Sequence, residues 1–360
     1  MKQSQKNYKR VVVKIGSSLF ASGKGCIDFK FFDDTVSQLA KLMQNGKEVV
    51  LVSSGAIAMG MSILKLDSRP KVVSDLQAVA AIGQNELMNA YRRCINKYPG
   101  INVAQVLLTW DDFNDRNRYL NAKNTILALL GYRSIPIVNE NDTVSTDEIK
   151  FGDNDKLSAL VASLVSADML IILSDIDGLL DKDKSVVRVV EEITPQIKAL
   201  ACPTDKKTCV GGMVTKIEAA KISVDSGIPC VIANGRQKDI ISSIIEEPLK
   251  YGTTFLPKGG LAARKRWIAF GVKPKGKIMV DDGAKRALLN RKSLLSVGVV
   301  GVDGDFEEGD VVGIIDKQKL EFARGRVFIS SRQLEKVMGR RSDKEVIHCD
   351  NIAILTADKA

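Results

Sequence analysis

Short apolar runs alternate with longer amphipathic segments between residues 9 and 233. The runs are rich in Val, Ile and Leu and almost uninterrupted, which is typical of strands buried on both faces of a parallel sheet. The segments between them, such as Asp75 to Tyr98, have the length and spacing of helices. The strand candidates are Arg10–Gly16, Glu48–Ser54, Asn102–Leu108, Ile135–Asn139, Asp168–Ser174 and Ile228–Ala233. This βαβα order predicts an α/β fold, a three-layer α/β/α sandwich.

The pattern changes after Ala233. Residues 251–280 contain Gly, Pro and the basic run Arg264–Arg266, which predicts a linker. Glycines and short β-type runs follow, and two short helices are expected near residues 283–290 and 333–338. The β-type runs are Lys277–Val280, Val297–Val302, Gly309–Ile315, Arg326–Ser331 and Ile352–Leu355. We therefore predict a first domain at residues 1–258, a linker at 259–275 and a small, mostly β second domain at 276–357.

Composition narrows the class of protein. The chain has 360 residues, 45% of them hydrophobic and 27% charged, as expected for a soluble globular protein of about two domains. Its first residues are polar and basic, and no run reaches the ~18 apolar residues of a membrane span, so we expect a cytoplasmic protein with no membrane contact. The six cysteines include no C-x-x-C pair, and His348 is the single histidine, which disfavours a zinc site and Ser-His-Asp or Cys-His catalysis. The net charge of +10, concentrated in the C-terminal third, suits either a polyanion ligand or a solvated surface.

Glycines and small residues follow several of the predicted strands, in the segments Lys14–Ser18, Ser53–Gly60, Ser174–Gly178 and Gly211–Lys216. Ligands of doubly wound sheets bind beyond the carboxyl ends of the strands, so these turns predict an anion-binding floor. Neither a Walker sequence nor G-x-G-x-x-G occurs, which excludes a P-loop NTPase and disfavours a classical dinucleotide fold.

Two lysines stand beside these turns. Lys14 ends an apolar strand, where a buried ammonium group needs an anionic partner. Lys216, close to the start of a helix that follows Gly211 and Gly212, is predicted to point near the same pocket. Two lysines held by one acidic residue suit phosphoryl transfer, in which catalysis is mostly positioning and charge neutralisation.

Six carboxylates crowd the segment Ile137–Leu160. They are Glu140, Asp142, Asp147, Glu148, Asp153 and Asp155. From the residues alone, a divalent-metal cage, a site for a cationic ligand and a solvated loop all remain open.

Seven ordered segments of the first two thirds resemble the amino acid kinase family. They are Val11–Leu19, Val52–Gly60, Gln105–Phe113, Arg118–Thr125, Ile135–Ala162, Leu173–Leu179 and Gly211–Ala220. The C-terminal third is similar to the PUA domain that is attached to many family members acting on glutamate. That likeness is carried by Arg264–Ile268, Gly304–Val312, Arg324–Ser331 and Glu345–Leu355.

The resemblance implies an activity and a set of site residues. The activity is ATP-dependent phosphorylation of the γ-carboxylate of L-glutamate to L-glutamyl 5-phosphate, the first step of proline biosynthesis. Lys14, Lys216 and Asp155 would be catalytic, with Asp155 holding both ammonium groups, and Ser54, Asp142 and Asn154 would bind glutamate. The residues implied to contact ATP are Lys14, Ser174, Asp175, Val210, Gly211, Gly212, Met213, Val214, Thr215 and Lys216.

Further expectations follow from the resemblance. Mg²⁺ is expected on the ATP phosphates, without a metal ligand from the protein, and backbone N–H groups near Gly16, Gly55 and Gly211 are expected to face negative charge. Glu140, Asp147, Glu148 and Asp153 receive no role beyond loop solvation and local hydrogen bonds. A homo-oligomer, dimer or tetramer, is usual in the family, and the product would pass to glutamate-5-semialdehyde dehydrogenase.

Two rival hypotheses about the function remain. A sibling kinase acting on aspartate, acetylglutamate or UMP is disfavoured by the segment Asn139–Asp155 and by the type of C-terminal domain. An RNA-binding protein is suggested by the basic PUA-like third, although its few aromatic residues give little support to base stacking. RNA binding by that domain is therefore a second hypothesis, which the sequence does not support.

Overall fold

The computed structural model describes residues 8–22, 26–145, 154–201, 212–257, 263–340 and 345–355. The chain forms two compact units. The first comprises Met1–Asp112 and Asn117–Lys258, and the second comprises Phe113–Arg116 and Gly259–Ala360. No helix in these described ranges is long and apolar enough to cross a membrane.

The first unit contains a large sheet and the helices that cover it. Its strands are β1 (Arg10–Ile15), β2 (Ala21–Ser22), β3 (Cys26–Ile27), β4 (Glu48–Ser53), β5 (Asn102–Leu108), β6 (Ser134–Glu140), β7 (Met169–Ser174), β8 (Val189–Val190), β9 (Cys230–Asn234) and β10 (Thr253–Phe255). The helices up to residue 246 are α1 (Phe29–Gln44), α2 (Ala56–Leu64), α3 (Val73–Ile95), α4 (Trp110–Asn114), α5 (Arg116–Gly131), α6 (Asp155–Leu164), α7 (Pro195–Leu200), α8 (Met213–Asp225) and α9 (Ile240–Glu246).

Eight of these strands form one mixed sheet in the order β5-β6-β4-β1-β7-β9-β10-β8. Neighbouring strands are parallel except β9 and β10, which are antiparallel. The six strands predicted from apolar runs are all present in this sheet. Strand β1 lies between β4 and β7, and the chain builds the β4 side before it crosses to the β7 side. The carboxyl end of β1 is therefore a topological switch point, where α/β sheets bind their ligands.

Helices cover both faces of the sheet. On one face Val11, Val13 and Ile15 of β1 belong to the apolar core that includes residues of α1, α3 and α9. Val12 and Lys14 alternate to the opposite face, where α6 contacts β1 and β7 and α8 contacts β9. Strands β1, β4 and β7 are buried along almost their whole length, which explains why their sequences are nearly uninterrupted apolar runs. This is the three-layer α/β/α arrangement that the sequence predicts.

The second unit is small and mostly β, as predicted. Its elements are α10 (Ala263–Arg266), a π-helical turn (Trp267–Gly271), β11 (Lys277–Val280), α11 (Asp282–Leu289), β12 (Leu294–Leu295), β13 (Val299–Asp303), β14 (Val311–Ile315), β15 (Glu321–Arg326), α12 (Ser331–Val337), β16 (Glu345–Ile347) and β17 (Ile352–Ile354). Five strands form a sheet in the order β13-β11-β14-β15-β17, and β12 pairs with β16. The core contains Ile278, Phe306, Ile314 and Ile347.

Two local predictions in the C-terminal part were wrong. The expected strand at Arg326–Ser331 lies earlier, at β15, because Ser330 and Gln333 form a capping box that starts α12. The segment 251–280, whose composition indicated a linker, includes β10, which lies within the predicted first domain, and the helical residues 263–271, which lie within the predicted linker at 259–275. Its apolar residues explain this difference, since Phe255, Trp267 and Ile268 are buried and favour regular structure over an exposed linker.

Candidate active site

Three charged residues meet at the carboxyl end of β1. The Nζ atom of Lys14 lies 2.5 Å from Oδ1 of Asp155, and Nζ of Lys216 lies 3.0 Å from Oδ2 of the same carboxylate. Asp155 is fully buried, and the side chains of Lys14 and Lys216 are only 3% and 10% exposed. The structure therefore brings together the three residues that the sequence singles out as catalytic.

Helix starts place two of these residues. Asp155 is the first residue of α6, next to the Asn154 N-cap, and Lys216 lies in the first turn of α8 after Gly212. Gly212 has a φ of 72°, which glycine adopts far more readily than other residues. Lys216 Nζ also donates a hydrogen bond of 3.3 Å to the Gly212 carbonyl. The turn before α8 thus holds the lysine against Asp155.

The charge balance of this cluster favours an anionic ligand. A buried carboxylate is strongly destabilising unless it is paired and hydrogen-bonded, and Asp155 has an ammonium group on each oxygen. Thr215 Oγ1 lies 3.1 Å from Asp155 Oδ2 as well. Two ammonium groups and one carboxylate leave a net charge of +1 on three side chains that are shielded from solvent. Such a site attracts negative charge that develops during a reaction.

A pocket of about 120 Å³ adjoins the cluster. Its walls come from the turn after β1, the start of α2, the end of β6 and the N-cap of α6. The three residues predicted to bind glutamate, Ser54, Asp142 and Asn154, all line this pocket. Asn154 and Asp155 are adjacent in the chain, so the pocket lining includes the residue next to the carboxylate that the two lysines share.

A chain of buried amides fixes Asn154. Its Nδ2 donates to the Ser53 carbonyl at 2.9 Å and to Oδ1 of Asn139 at 2.7 Å. Asn139 Nδ2 in turn donates to Oε1 of Gln84 on α3 at 2.7 Å. Because these amides are buried, their hydrogen bonds hold the Asn154 side chain in one orientation.

Two serine hydroxyls at the predicted ligand positions are buried without a partner among the described residues. They are Oγ of Ser54, in the pocket, and Oγ of Ser174, at the end of β7. An unsatisfied buried polar group costs about 1–3 kcal/mol, so such groups are uncommon in folded proteins. Both hydroxyls are therefore suited to a hydrogen bond with a ligand.

The pocket also has an acidic wall. Asp142 lies beside Glu140, and Arg69 lines the same pocket. Burial, and to a smaller extent the negative charge of Glu140, raise the pKa of Asp142 to about 6 against the opposing effect of Arg69. A group whose ionisation is this costly gains from a cationic ligand such as an α-ammonium group.

Apart from Lys14 on β1, the described residues predicted to bind ATP lie at the end of β7 and the start of α8. Ser174 is buried, Asp175 is exposed, and Gly212, Met213, Val214 and Thr215 form the start of α8. Val210 and Gly211 lie outside the described residues. The N–H group of Gly16 itself donates to the Leu173 carbonyl at 3.0 Å, so the expected anion contact near Gly16 stays a prediction for the N–H groups of neighbouring residues. Gly55, by contrast, caps α2 with a φ of 106° and lines the pocket.

Four residues of this site were missed or misjudged from the sequence. Glu140 was assigned to loop solvation, which was wrong: it is the last residue of β6, is 4% exposed and lines the pocket. Its position directly after a buried strand was the available signal. Asn139, Gln84 and Arg69 carried no signal in a single sequence, because their contacts are made across the fold. Asp147, Glu148 and Asp153 lie outside the described residues.

Among the described residues of this site, no three potential metal ligands have converging donor atoms. Within the described ranges, the one group of three potential ligands with converging donor atoms is His348, Cys349 and Asp350, in the second unit. At the candidate active site the Asp155 carboxylate is already engaged by two ammonium groups. This donor set fits Mg²⁺ that arrives on ATP phosphates better than a metal cage built by the protein.

Comparisons with known proteins agree with the geometry. The family model "Amino acid kinase family" matches residues 9–234, and the model "PUA domain" matches residues 276–349. The chain is 46% identical to a protein named glutamate 5-kinase from Thermoanaerobacter sp. (strain X514), over 96% of this chain and 98% of the relative. It is 43% identical to the glutamate 5-kinase of Citrifermentans bemidjiense, over 98% of this chain and 100% of the relative.

A solved structure supports the fold. The carbamate kinase of Giardia is similar with a TM-score of 0.50 and 19% identity, over 70% of this chain and 99% of that protein. At this identity the likeness concerns the fold alone. Together with the relatives at 43–46% identity, these matches show that the chain belongs to the amino acid kinase family, in the group of the glutamate 5-kinases, with a C-terminal PUA domain.

Proposed function

We propose that this protein transfers the γ-phosphoryl group of ATP to the γ-carboxylate of L-glutamate, giving L-glutamyl 5-phosphate and ADP. The observation that carries the proposal is the buried Lys14–Asp155–Lys216 cluster beside a pocket with an acidic wall. The reaction is the first step of proline biosynthesis from glutamate, and the names of the relatives agree with it.

The nucleophile needs no general base. A free glutamate side chain has a pKa of about 4.3, so its γ-carboxylate is already ionised at neutral pH. This agrees with a chain whose single histidine, His348, lies in the second unit. The obstacle is repulsion between the carboxylate and the triphosphate, together with the charge that builds up on the transferred phosphoryl group.

Lys14 and Lys216 offset that repulsion in our proposal. Asp155 holds both ammonium groups in fixed positions, so they require little reorganisation when the phosphoryl group moves between the two oxygens. In the forward reaction the γ-carboxylate oxygen forms a bond to phosphorus while the bond from phosphorus to the β,γ-bridging oxygen breaks. The electron pair of that bond leaves with ADP.

The substrates take opposite sides of the cluster. Ser54, Asp142 and Asn154 hold glutamate, with Asp142 next to its α-ammonium group. Ser174, Asp175 and the start of α8, from Gly212 to Lys216, hold ATP, and Val210 and Gly211 belong to the same proposed site. Mg²⁺ bound with ATP supplies further neutralisation of phosphate charge, and the protein needs no dedicated ligand for it.

Three further proposals concern the oligomeric state, the cellular compartment and the fate of the product. We expect a homo-oligomer, a dimer or tetramer, in the cytoplasm. An acyl phosphate hydrolyses readily, so its prompt consumption by glutamate-5-semialdehyde dehydrogenase would prevent loss of the product.

The proposal is tested with ATP, Mg²⁺ and hydroxylamine, which traps acyl phosphates as hydroxamates. L-glutamate should give a hydroxamate, whereas L-aspartate and N-acetylglutamate should give little. Product from aspartate or acetylglutamate but none from glutamate would overturn the assignment in favour of a sibling kinase.

A further inference from the structure

Arg69 forms a charged part of the pocket wall that none of the roles above uses. It lies between α2 and α3, and among the described residues that line the pocket it is the one with a cationic side chain. We propose that Arg69 binds the α-carboxylate of glutamate and so makes the enzyme selective for a substrate with a free α-carboxylate. This inference rests on the proposed function and extends it to the other end of the substrate.

The charges of glutamate require such a residue. The substrate has two carboxylates and one ammonium group, and the γ-carboxylate is assigned to the side of Lys14 and Lys216. The α-carboxylate and the α-ammonium group share one carbon atom. An α-carboxylate placed near Asp142 and Glu140 is repelled by both carboxylates, and a nearby cation must offset this. Arg69 supplies a positive charge on the wall of the same pocket.

The direction of the pocket agrees with this assignment. Ser54 and Asn154, close to the catalytic cluster, are buried, whereas Arg69 is exposed. The γ-carboxylate must reach the buried lysines, so the α end of the substrate points outward. Arg69 is therefore at the end of the pocket where the α-carboxylate lies.

The charge of Arg69 also acts on the acidic wall of the pocket. Its positive charge lowers the pKa of Asp142 against the effects of burial and of Glu140. A guanidinium group also offers two parallel N–H donors, which match the two oxygens of a carboxylate better than an ammonium group does. Arg69 is thus a specificity-determining residue by geometry and by chemistry.

A substrate analogue separates this role from a general electrostatic or structural one. L-isoglutamine keeps the α-ammonium group and the γ-carboxylate of glutamate but has a neutral α-carboxamide. The experiment measures hydroxamate formation from L-glutamate and L-isoglutamine by the full-length wild type, Arg69→Gln and Arg69→Lys. If isoglutamine is not phosphorylated, its inhibition constant in competition with glutamate is measured instead of its rate.

The wild type should prefer glutamate over isoglutamine in kcat/KM or affinity. Arg69→Gln should lower kcat/KM for glutamate by about 10- to 100-fold, mostly through KM, because a charge-assisted hydrogen-bond pair to the substrate is lost. The same change should have little effect on kcat/KM or affinity for isoglutamine, so the variant should lose the preference for glutamate. Arg69→Lys should recover part of the preference, since it restores the charge without the planar fork.

Arg93→Gln is the matched control, because Arg93 is an exposed arginine on α3 with a side chain 69% exposed, and it does not line the pocket. It should leave both substrates unchanged. An equal loss for glutamate and isoglutamine in Arg69→Gln would overturn the inference, as would a wild type that does not discriminate between them. Failure of the wild type to form any hydroxamate from glutamate would instead overturn the proposed function itself.

Discussion

The Nζ atom of Lys14 lies 2.5 Å from Oδ1 of Asp155, and both residues are almost completely shielded from solvent. Lys14 is the penultimate residue of β1, and Asp155 is the first residue of α6. Removing one partner of a buried ion pair leaves an unpaired charge in the protein interior. The pair therefore links the stability of the fold to the chemistry that we propose.

Loss of either lysine should affect the chemical step more than substrate binding. Lys14→Ala and Lys216→Ala should each lower kcat by about 10²- to 10³-fold and change KM for glutamate far less, because both ammonium groups act on charge that develops in the transition state. Steady-state kinetics of folded variants, verified by circular dichroism, measures this. Lys41→Ala, at an exposed position of α1, is the control. A kcat equal to that of the wild type in Lys14→Ala would remove Lys14 from the mechanism.

Asp155→Ala should abolish activity and also destabilise the protein. It leaves the buried ammonium groups of Lys14 and Lys216 without their shared carboxylate, and breaking a buried ion pair in this way costs about 3–5 kcal/mol. Denaturant unfolding measures the change. Asp34→Ala, at an exposed position of α1, should unfold like the wild type. Equal stability of Asp155→Ala and the wild type would contradict the account of the cluster.

Asp142 should couple glutamate affinity to pH. Its pKa of about 6 is set by burial and the charge of Glu140, against the opposing effect of Arg69. Protonation below pH 6 removes the negative charge that attracts the α-ammonium group. KM for glutamate should therefore rise as pH falls from 7.5 to 5.5, and the pH dependence should disappear in Asp142→Asn. A KM that depends on pH equally in both proteins would contradict this role.

The same residue should lower stability at neutral pH. Because the pKa of Asp142 is higher in the folded protein than in the unfolded chain, the folded state binds the proton more tightly. Its contribution to stability is present at about pH 4 and is lost as pH rises through 6. Asp142→Asn should therefore melt at a higher temperature than the wild type at pH 7.5, with no advantage near pH 4. Asp34→Asn should give no such gain, and a lower melting temperature of Asp142→Asn at pH 7.5 would argue against a costly ionisation.

Close packing of α2 against α3 shapes the pocket wall. A Cβ atom at Gly83 of α3 would overlap the carbonyl oxygen of Ala56 and the backbone nitrogen of Gly60 in α2. Gly83→Ala should thus displace α2, lower the free energy of unfolding by about 1–3 kcal/mol and raise KM for glutamate. Thermal unfolding and steady-state kinetics measure both effects.

Gly131→Ala is the matched control for this packing. A Cβ atom at Gly131, the last residue of α5, meets no heavy atom within 4 Å. This substitution should leave the protein as stable as the wild type or slightly more stable, since alanine loses less backbone entropy than glycine. If Gly83→Ala behaves like Gly131→Ala, the contact between α2 and α3 is not a constraint on the pocket.

Much of the fold was predictable because strands that are buried on both faces consist almost entirely of apolar residues. Strands β1, β4 and β7 are buried on both faces and appear as apolar runs, and Lys14 is conspicuous because it interrupts one of them. The resemblance then assigned roles to Asp155 and Lys216. The structure adds that these three side chains converge with distances suited to ion pairing.

The remainder depends on contacts between distant parts of the chain. The sequence around Glu140 is compatible with a solvated loop and with a buried strand. In the structure β6 continues one residue beyond the predicted strand, so Glu140 belongs to it. Gln84 reaches Asn154 only through Asn139, and Arg69 joins the pocket only after α2 and α3 have packed. Likewise, basic and glycine-rich residues around 263–271 obscured a helical stretch that buries Trp267.

The central claim is that the γ-carboxylate of glutamate attacks ATP, and oxygen labelling tests it most directly. The enzyme is supplied with ATP, Mg²⁺, hydroxylamine and L-glutamate labelled with ¹⁸O on both γ-carboxylate oxygens. Hydroxylamine attacks the carbonyl carbon of the acyl phosphate, so the bridging oxygen leaves with phosphorus. The account predicts inorganic phosphate that carries one ¹⁸O atom, detected by mass spectrometry, and hydroxamate in equal amount. Phosphate without ¹⁸O would show that the γ-carboxylate is not the nucleophile and would contradict the account.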